Sequence, residues 1–260
     1  MFNKMKMLLL IAGVALVGVA SASAATELSN TFQRMDDSYD NVAISFWLIS
    51  MAMVAATAFF FLERDRVAAK WKTSLTVAGL VTGVAAWHYF YMRGVWVATG
   101  DSPTVLRYID WLITVPLQII EFYVILAAMT AVASSLFWRL LIASLIMLVF
   151  GYMGETGAMN VTLAFVISMA GWLYIIYEIF AGEASKISAS EGTPASQKAF
   201  NALRIIVTVG LAIYPIGYAV GHFGGGVDAG SLNLIYNLAD FVNKIAFGMA
   251  IYVAAVSDSN

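Results

Sequence analysis

The chain has 260 residues, of which 61% are hydrophobic and only 12% charged, with no cysteine, two histidines and a formal net charge of −2. That composition excludes an ordinary soluble domain, the missing cysteines exclude disulfide and thiolate chemistry, and His88 and His222 are too few and too scattered for a zinc motif. Nothing in the charge favours a nucleic-acid partner, and an integral membrane protein is expected.

Residues 1–24 carry Lys4 and Lys6, an apolar run from Met7 to Ala20, and then Ala22-Ser23-Ala24. This is the pattern of a cleaved signal peptide, and an uncleaved extra helix is the alternative. The remaining chain, 25–260, reads as one domain. A polar stretch from Glu27 to Asp40 is followed by apolar segments at about Val42–Leu62, Leu75–Val97, Val105–Ala131, Leu136–Met153, Val161–Ala181, Ala202–Phe223 and Leu232–Val256. Each approaches the roughly 20 residues that a helix needs to cross the hydrocarbon core, and none shows the short alternating units of a barrel. The expected fold is therefore an all-α membrane protein, a seven-transmembrane-helix bundle.

Loop charge sets the expected orientation, because Lys and Arg are retained on the cytoplasmic side. Arg64, Arg66, Lys70 and Lys72 follow the first span, Arg139 follows the third connection, and Lys186, Lys198 and Arg204 lie after the fifth span. The opposite loops carry Asp101, Glu155 and Asp228. An outside N-terminus and a cytoplasmic C-terminus are expected. Gly182 to Ser196 has linker composition and is expected to be the most mobile loop, and Gly224-Gly225-Gly226 marks a turn.

The third span reads Arg107-Tyr-Ile-Asp110-Trp111-Leu-Ile-Thr114-Val-Pro-Leu-Gln118-Ile-Ile-Glu121. Positions 107, 110, 114 and 121 share one helical stripe, with Asp110 and Glu121 ~16 Å apart along it. In the last span Lys244 follows Asp240 by one turn. An intramembrane lysine is costly, which makes a functional role the default. It can shed its charge, pair with a carboxylate, or form a Schiff base with a carbonyl compound. A Schiff base needs a counterion, which Asp110 and Asp240 can supply with Arg107 one turn further out. Glu121, among Ile119, Ile120 and Phe122, is expected to be protonated at rest through desolvation. An acceptor and a donor on either side of a switchable nitrogen suit vectorial proton transfer. The plainer alternative is a pair of structural ion pairs, Arg107 with Asp110 and Asp240 with Lys244. Trp111, Trp172, Tyr214 and Tyr236 could line a slot for a conjugated polyene, although each aromatic taken singly is more often core. Glu155 and Glu178, near span ends, read as solvated or structural.

Taken together, Arg107 through Pro116 with Glu121, and Asn237-Leu-Ala-Asp240-Phe-Val-Asn-Lys244, resemble the microbial rhodopsins and among them the proteorhodopsins. The likeness runs through all seven spans and includes Trp87-His88-Tyr89, Arg93-Gly94-Val95-Trp96, Ala212-Ile213-Tyr214-Pro215 and Leu234-Ile235-Tyr236-Asn237. The resemblance implies all-trans retinal on Lys244, isomerised by light to 13-cis, in a multi-pass protein of the bacterial inner membrane. It implies Asp110 as counterion and proton acceptor, Asp240 as second counterion and Glu121 as cytoplasmic donor. His88 would pair with Asp110 and meet Trp47 of a neighbouring protomer in a homo-oligomer, pentamer or hexamer; without the resemblance it reads as a satisfied interior histidine. Met147 and Pro215 join Trp111, Thr114, Trp172, Tyr214 and Tyr236 as implied retinal contacts.

Gln118 stands where the family's green-absorbing members have leucine and resembles the blue-absorbing forms; alternatively it is interhelical glue. Leu211 departs from the pattern, since a tryptophan usually stands there, and this puts the tightness of the pocket in doubt. The implied function is a light-driven outward proton pump. The rival is a slow-cycling photosensor, which seldom needs a donor such as Glu121.

Overall fold

The computed structural model describes residues 40–259, so the expected signal peptide at 1–24 and most of the polar stretch after it lie outside the described residues. The described chain folds into helices α1 (Asn41–Glu63), α2 (Lys72–Thr99), α3 (Thr104–Ala127), α4 (Ser134–Glu155), α5 (Val161–Phe180), α6 (Glu183–Glu191), α7 (Pro194–Ile205), α8 (Ile213–Phe223) and α9 (Ala229–Ser257). Seven spans result, because α7, a π-helical segment at Ile206–Gly210 and α8 form one continuous sixth span, while α6 is a short extra helix. Six of the spans are long and apolar enough to cross a membrane by composition alone. The remaining one, α2, is diluted by Ser74, Thr76, Thr82, His88 and Arg93, yet its 28 residues reach ~42 Å and it packs among α1, α3 and α9.

Side-chain caps define several helix starts. Asp40 accepts from the backbone N–H of Val42 and Ala43, at 2.9 and 3.1 Å, and Asp228 accepts from Ser231 at 2.8 Å. Each satisfies donors that a first helical turn leaves free. The turn before α9 needs glycine, since Gly225 and Gly226 have φ of 91° and 96°, where a Cβ is strained.

Successive spans pack side by side, and α9 closes the ring against α1, α2 and α7. The polarity of this ring is the reverse of a water-soluble fold. Leu48, Leu62, Val166, Val209, Leu238 and Val253 are exposed on its outside, whereas Arg107, Asp110, Thr114, Gln118, Glu121, Asn237, Asp240 and Lys244 are buried within it. An apolar belt facing hydrocarbon explains both halves of the pattern. Gly248 lets α9 approach α1: a Cβ there would lie 2.3 Å from the buried Phe60 ring.

The expected mobile loop at Gly182–Ser196 is corrected, since most of it is helical. Arg139 on α4 holds Glu178 at 3.2 Å and Glu183 at 2.5 Å, which ties the start of α6 to the bundle. Ala184 and Ser188 are buried, and Thr193 caps α7 ahead of Pro194, a residue preorganised for a first helical position. The sixth span accordingly begins eight residues before the expected Ala202, and the third ends at Ala127 rather than Ala131.

Candidate functional site

At the centre of the ring α3 and α9 present their charged faces to each other. Asn233, Asn237, Asp240 and Lys244 recur at steps of four, three and four along α9, which keeps them on one face. Arg107, Asp110, Thr114, Gln118 and Glu121 do the same on α3. The Lys244 ammonium, 2% exposed, is ion-paired with Asp110 Oδ2 and lies 3.1 Å from Asp240 Oδ2. A buried ammonium between two buried carboxylates is the geometry in which desolvation is offset by direct attraction.

Asp240 is the more heavily supported acid. It accepts from the Tyr89 hydroxyl at 2.8 Å, from the Tyr214 hydroxyl, and from the Trp111 indole at 3.4 Å. Asp110 has only Lys244 on one oxygen, and its Oδ1 is buried without a hydrogen bond among the described residues. Thr114 bonds the Asp110 backbone carbonyl at 2.9 Å rather than the carboxylate.

Of the two ion pairs that the structural alternative supposed, Asp240 with Lys244 is formed, whereas Arg107 makes no salt bridge with Asp110. Its Nη2 donates to Asn233 Oδ1 at 2.7 Å and Asn237 Oδ1 at 3.1 Å, its guanidinium stacks near Tyr236 and Trp111, and its charge acts on Asp240. Glu121 is fully buried, and neither of its oxygens makes a hydrogen bond of good geometry among the described residues, although Ser74 on α2 is its polar neighbour. His88 makes no hydrogen bond to Asp110, and its Nδ1 lies 2.9 Å from the Val84 carbonyl of its own helix. Trp47 is partly buried against Phe90 and near the Arg93 guanidinium.

Gln118 is buried and donates from Nε2 to the Asn243 carbonyl at 3.3 Å, so it does bridge two helices. Glu155 pairs with His222 at 3.0 Å and Glu178 with Arg139. A cavity adjoins the carboxylate cluster, and Trp111, Met147, Trp172, Leu211, Tyr214 and Pro215 form its apolar and aromatic side. Tyr236 and Arg107 border it as well. Its wall does not include Lys244, Thr114 or Gln118; Trp111 and Tyr214, packed with ring centroids 4.7 Å apart, join the cavity to Asp240.

Sequence reasoning gave no role to Tyr89, Asn233 or Asn243. The 4-3-4 spacing on α9 could have found Asn233, because a polar residue recurring on the lysine's own face inside an apolar segment has to meet polar partners. Tyr89 carried no such signal, as tyrosine is at home in any core.

The fold and site thus define a seven-helix membrane bundle that encloses a buried lysine between two carboxylates, beside an aromatic-lined cavity. A profile of the bacteriorhodopsin-like protein family matches residues 40–257, and the chain belongs to that family. It is similar to the blue-light absorbing proteorhodopsin of Gamma-proteobacterium Hot 75m4, with 58% identity over 97% of this chain and 98% of that one. It is also similar to the green-light absorbing proteorhodopsin of Gamma-proteobacterium EBAC31A08, with 60% identity over 86% and 90% of the two chains. Among solved structures, the blue light-absorbing proteorhodopsin from Med12 superposes with a TM-score of 0.74 at 59% identity, covering 84% of this chain and 100% of that one. The resemblance seen in the motifs is therefore borne out, and the family implies a retinal chromophore in a multi-pass membrane protein.

The residues present fit that group. The lysine amine is buried, Asp110 Oδ1 is left as a free acceptor, and the adjoining cavity offers apolar and aromatic walls.

Proposed function

We propose that this chain is a light-driven outward proton pump whose chromophore, all-trans retinal, is carried by Lys244. The observation that supports the reading best is the ammonium of Lys244 set between Asp110 and Asp240, with Glu121 buried on the same stripe of α3, ~16 Å further along. Bound retinal supplies, through its Schiff-base linkage, visible absorption and a nitrogen whose proton affinity and access change when light isomerises the polyene to 13-cis.

The chain's own groups then divide the proton's path. Asp110, held by few partners, receives the proton from the Lys244 nitrogen. Asp240, fixed by Tyr89, Tyr214 and Trp111, stays ionised as second counterion, and Arg107 lends it positive charge. Glu121, fully buried beside Ser74, holds a proton at rest and returns it to the nitrogen from the cytoplasmic side. His88 serves as the partner of Asp110.

The positive loops set this direction, with the N-terminus outside and the C-terminus in the cytoplasm. Residues 1–24 serve as signal peptide and 25–260 form the retinal-binding domain. Gln118 marks a blue-absorbing form. Trp47, next to α2 in this protomer, faces His88 of a neighbour in a homo-oligomer, pentamer or hexamer.

Illumination of cells holding the retinal-loaded protein is expected to acidify the medium, with the signal abolished by a protonophore. No light-driven pH change from a pigment that does absorb visible light, even at alkaline pH, would overturn the pump; slow cycling without net transport would point to the photosensory reading instead.

A further inference from the structure

Asn243 precedes Lys244 on α9, is buried, and touches both neighbouring functional elements. Its Nδ2 donates to the Tyr214 hydroxyl at 3.3 Å, and its backbone carbonyl accepts from Gln118 Nε2 at 3.3 Å. The Tyr214 hydroxyl in turn donates to Asp240 Oδ1. Gly210, the last residue of the π segment, sits directly against the same side chain: a Cβ on Gly210 would fall 1.8 Å from Asn243 Oδ1. Gly210 and Tyr214 are four residues apart, so both meet α9 from one face of the sixth span.

We propose that Asn243 is a positioning residue that fixes the Tyr214 hydroxyl in its donating orientation toward Asp240, and so couples the placement of the sixth span to the counterion. A phenol has one hydrogen to give and lone pairs to accept with. With the Asn243 N–H on a lone pair, the single O–H is directed to the carboxylate, and the two bonds polarise each other in a low-dielectric interior. Gly210 is the other half of the device. Its missing Cβ leaves the space the amide occupies, and the π turn sets the backbone at that point. π turns inside helices are often found at functional sites.

The inference deepens the reading of Lys244 as the chromophore lysine and rests on it. Its test uses the retinal-loaded native protein with N243A, G210A, Y214F and the double variant N243A/Y214F, comparing their visible absorption maxima. Because the atom in the way of a Gly210 Cβ is the movable end of a side chain, G210A is expected to fold and displace the Asn243 amide. N243A and G210A should then shift the maximum in the same direction, and N243A should add no further shift once Tyr214 has lost its hydroxyl.

An N243A shift as large in the Y214F background as in the native protein overturns the inference, as does an unchanged spectrum in both N243A and G210A. Should G210A fail to fold, the Asn243–Tyr214 cycle decides alone. Failure of the native protein itself to form a visible pigment would overturn the reading of Lys244 and this inference with it, whereas additive shifts in intact pigments overturn this inference only.

Discussion

Replacing Lys244 by alanine takes away the one buried amine between the two acids, and the purified K244A protein incubated with retinal is expected to show no visible absorption band. Leaving Asp110 and Asp240 without their cation also strands two buried charges, so K244A should be less stable by about 3–5 kcal/mol in thermal or denaturant unfolding unless the acids take up protons. Glu121 separates differently. In E121Q the pigment should form normally, because Glu121 makes no bond to Lys244, Asp110 or Asp240, while the return of the photocycle to its ground state slows about 10²-fold or more at neutral pH, as expected for loss of a positioned proton donor. Flash photolysis measures that rate, and an unchanged rate would remove Glu121 from the relay.

Most of these side chains were legible before any fold was known. Ionisable groups at helical spacing inside apolar segments have few innocent explanations. The partners of Arg107 were not legible, because whether a guanidinium turns to a carboxylate on its own helix or to two amides on another depends on the rotation of α9 against α3. That rotation is a tertiary quantity. Likewise the sequence offered Gln118 as a tuning residue or as glue, and the bond to Asn243 shows the second geometry without opposing the first.

At the scale of helices, the spans were readable from hydropathy while the details between them were not. The Gly182–Ser196 stretch has the composition of a linker, yet Arg139 recruits Glu178 and Glu183 and gives α6 an anchor. An ion network between α4 and α6 leaves no periodic trace in either segment. The π segment was equally hidden, since Ile206–Gly210 is an unremarkable apolar run.

Helix contact itself is testable at Gly248. A methyl group there meets the fully buried Phe60 ring, which would have to shift to admit it. G248A is expected to cost about 1–3 kcal/mol through overpacking, seen as a lower midpoint in thermal unfolding of the detergent-solubilised protein. A similar alanine at Gly94, where a Cβ would meet nothing within 4 Å, should leave the midpoint close to the native value.

For the molecule as a whole, the ring is fastened where its two ends meet. Asp258, just past α9, accepts from the Trp71 indole at 2.9 Å and pairs with Lys70, and Ser259 Oγ accepts from the Ala68 N–H at 2.8 Å. Partial burial alone would raise the Asp258 carboxyl, but Lys70 and Trp71 outweigh it and hold the group below the usual carboxylate range. Its folded value being the lower one, the contribution is fully present above the unfolded value of ~3.9 and is lost as pH falls through the folded value. Solvent screening keeps that contribution to about 0.5 kcal/mol. D258N is therefore expected to melt slightly below the native protein at pH 7 and together with it in strong acid, where the native carboxyl is neutral too.

This fastening has a practical consequence for anyone joining another protein to the chain. A fusion partner attached close behind Ser259 would compete for the space in which Ala68 and Trp71 hold that end of α9, loosening the helix that carries Lys244. A flexible spacer of several residues would let the clasp close first, and the colour of the pigment would report whether it had.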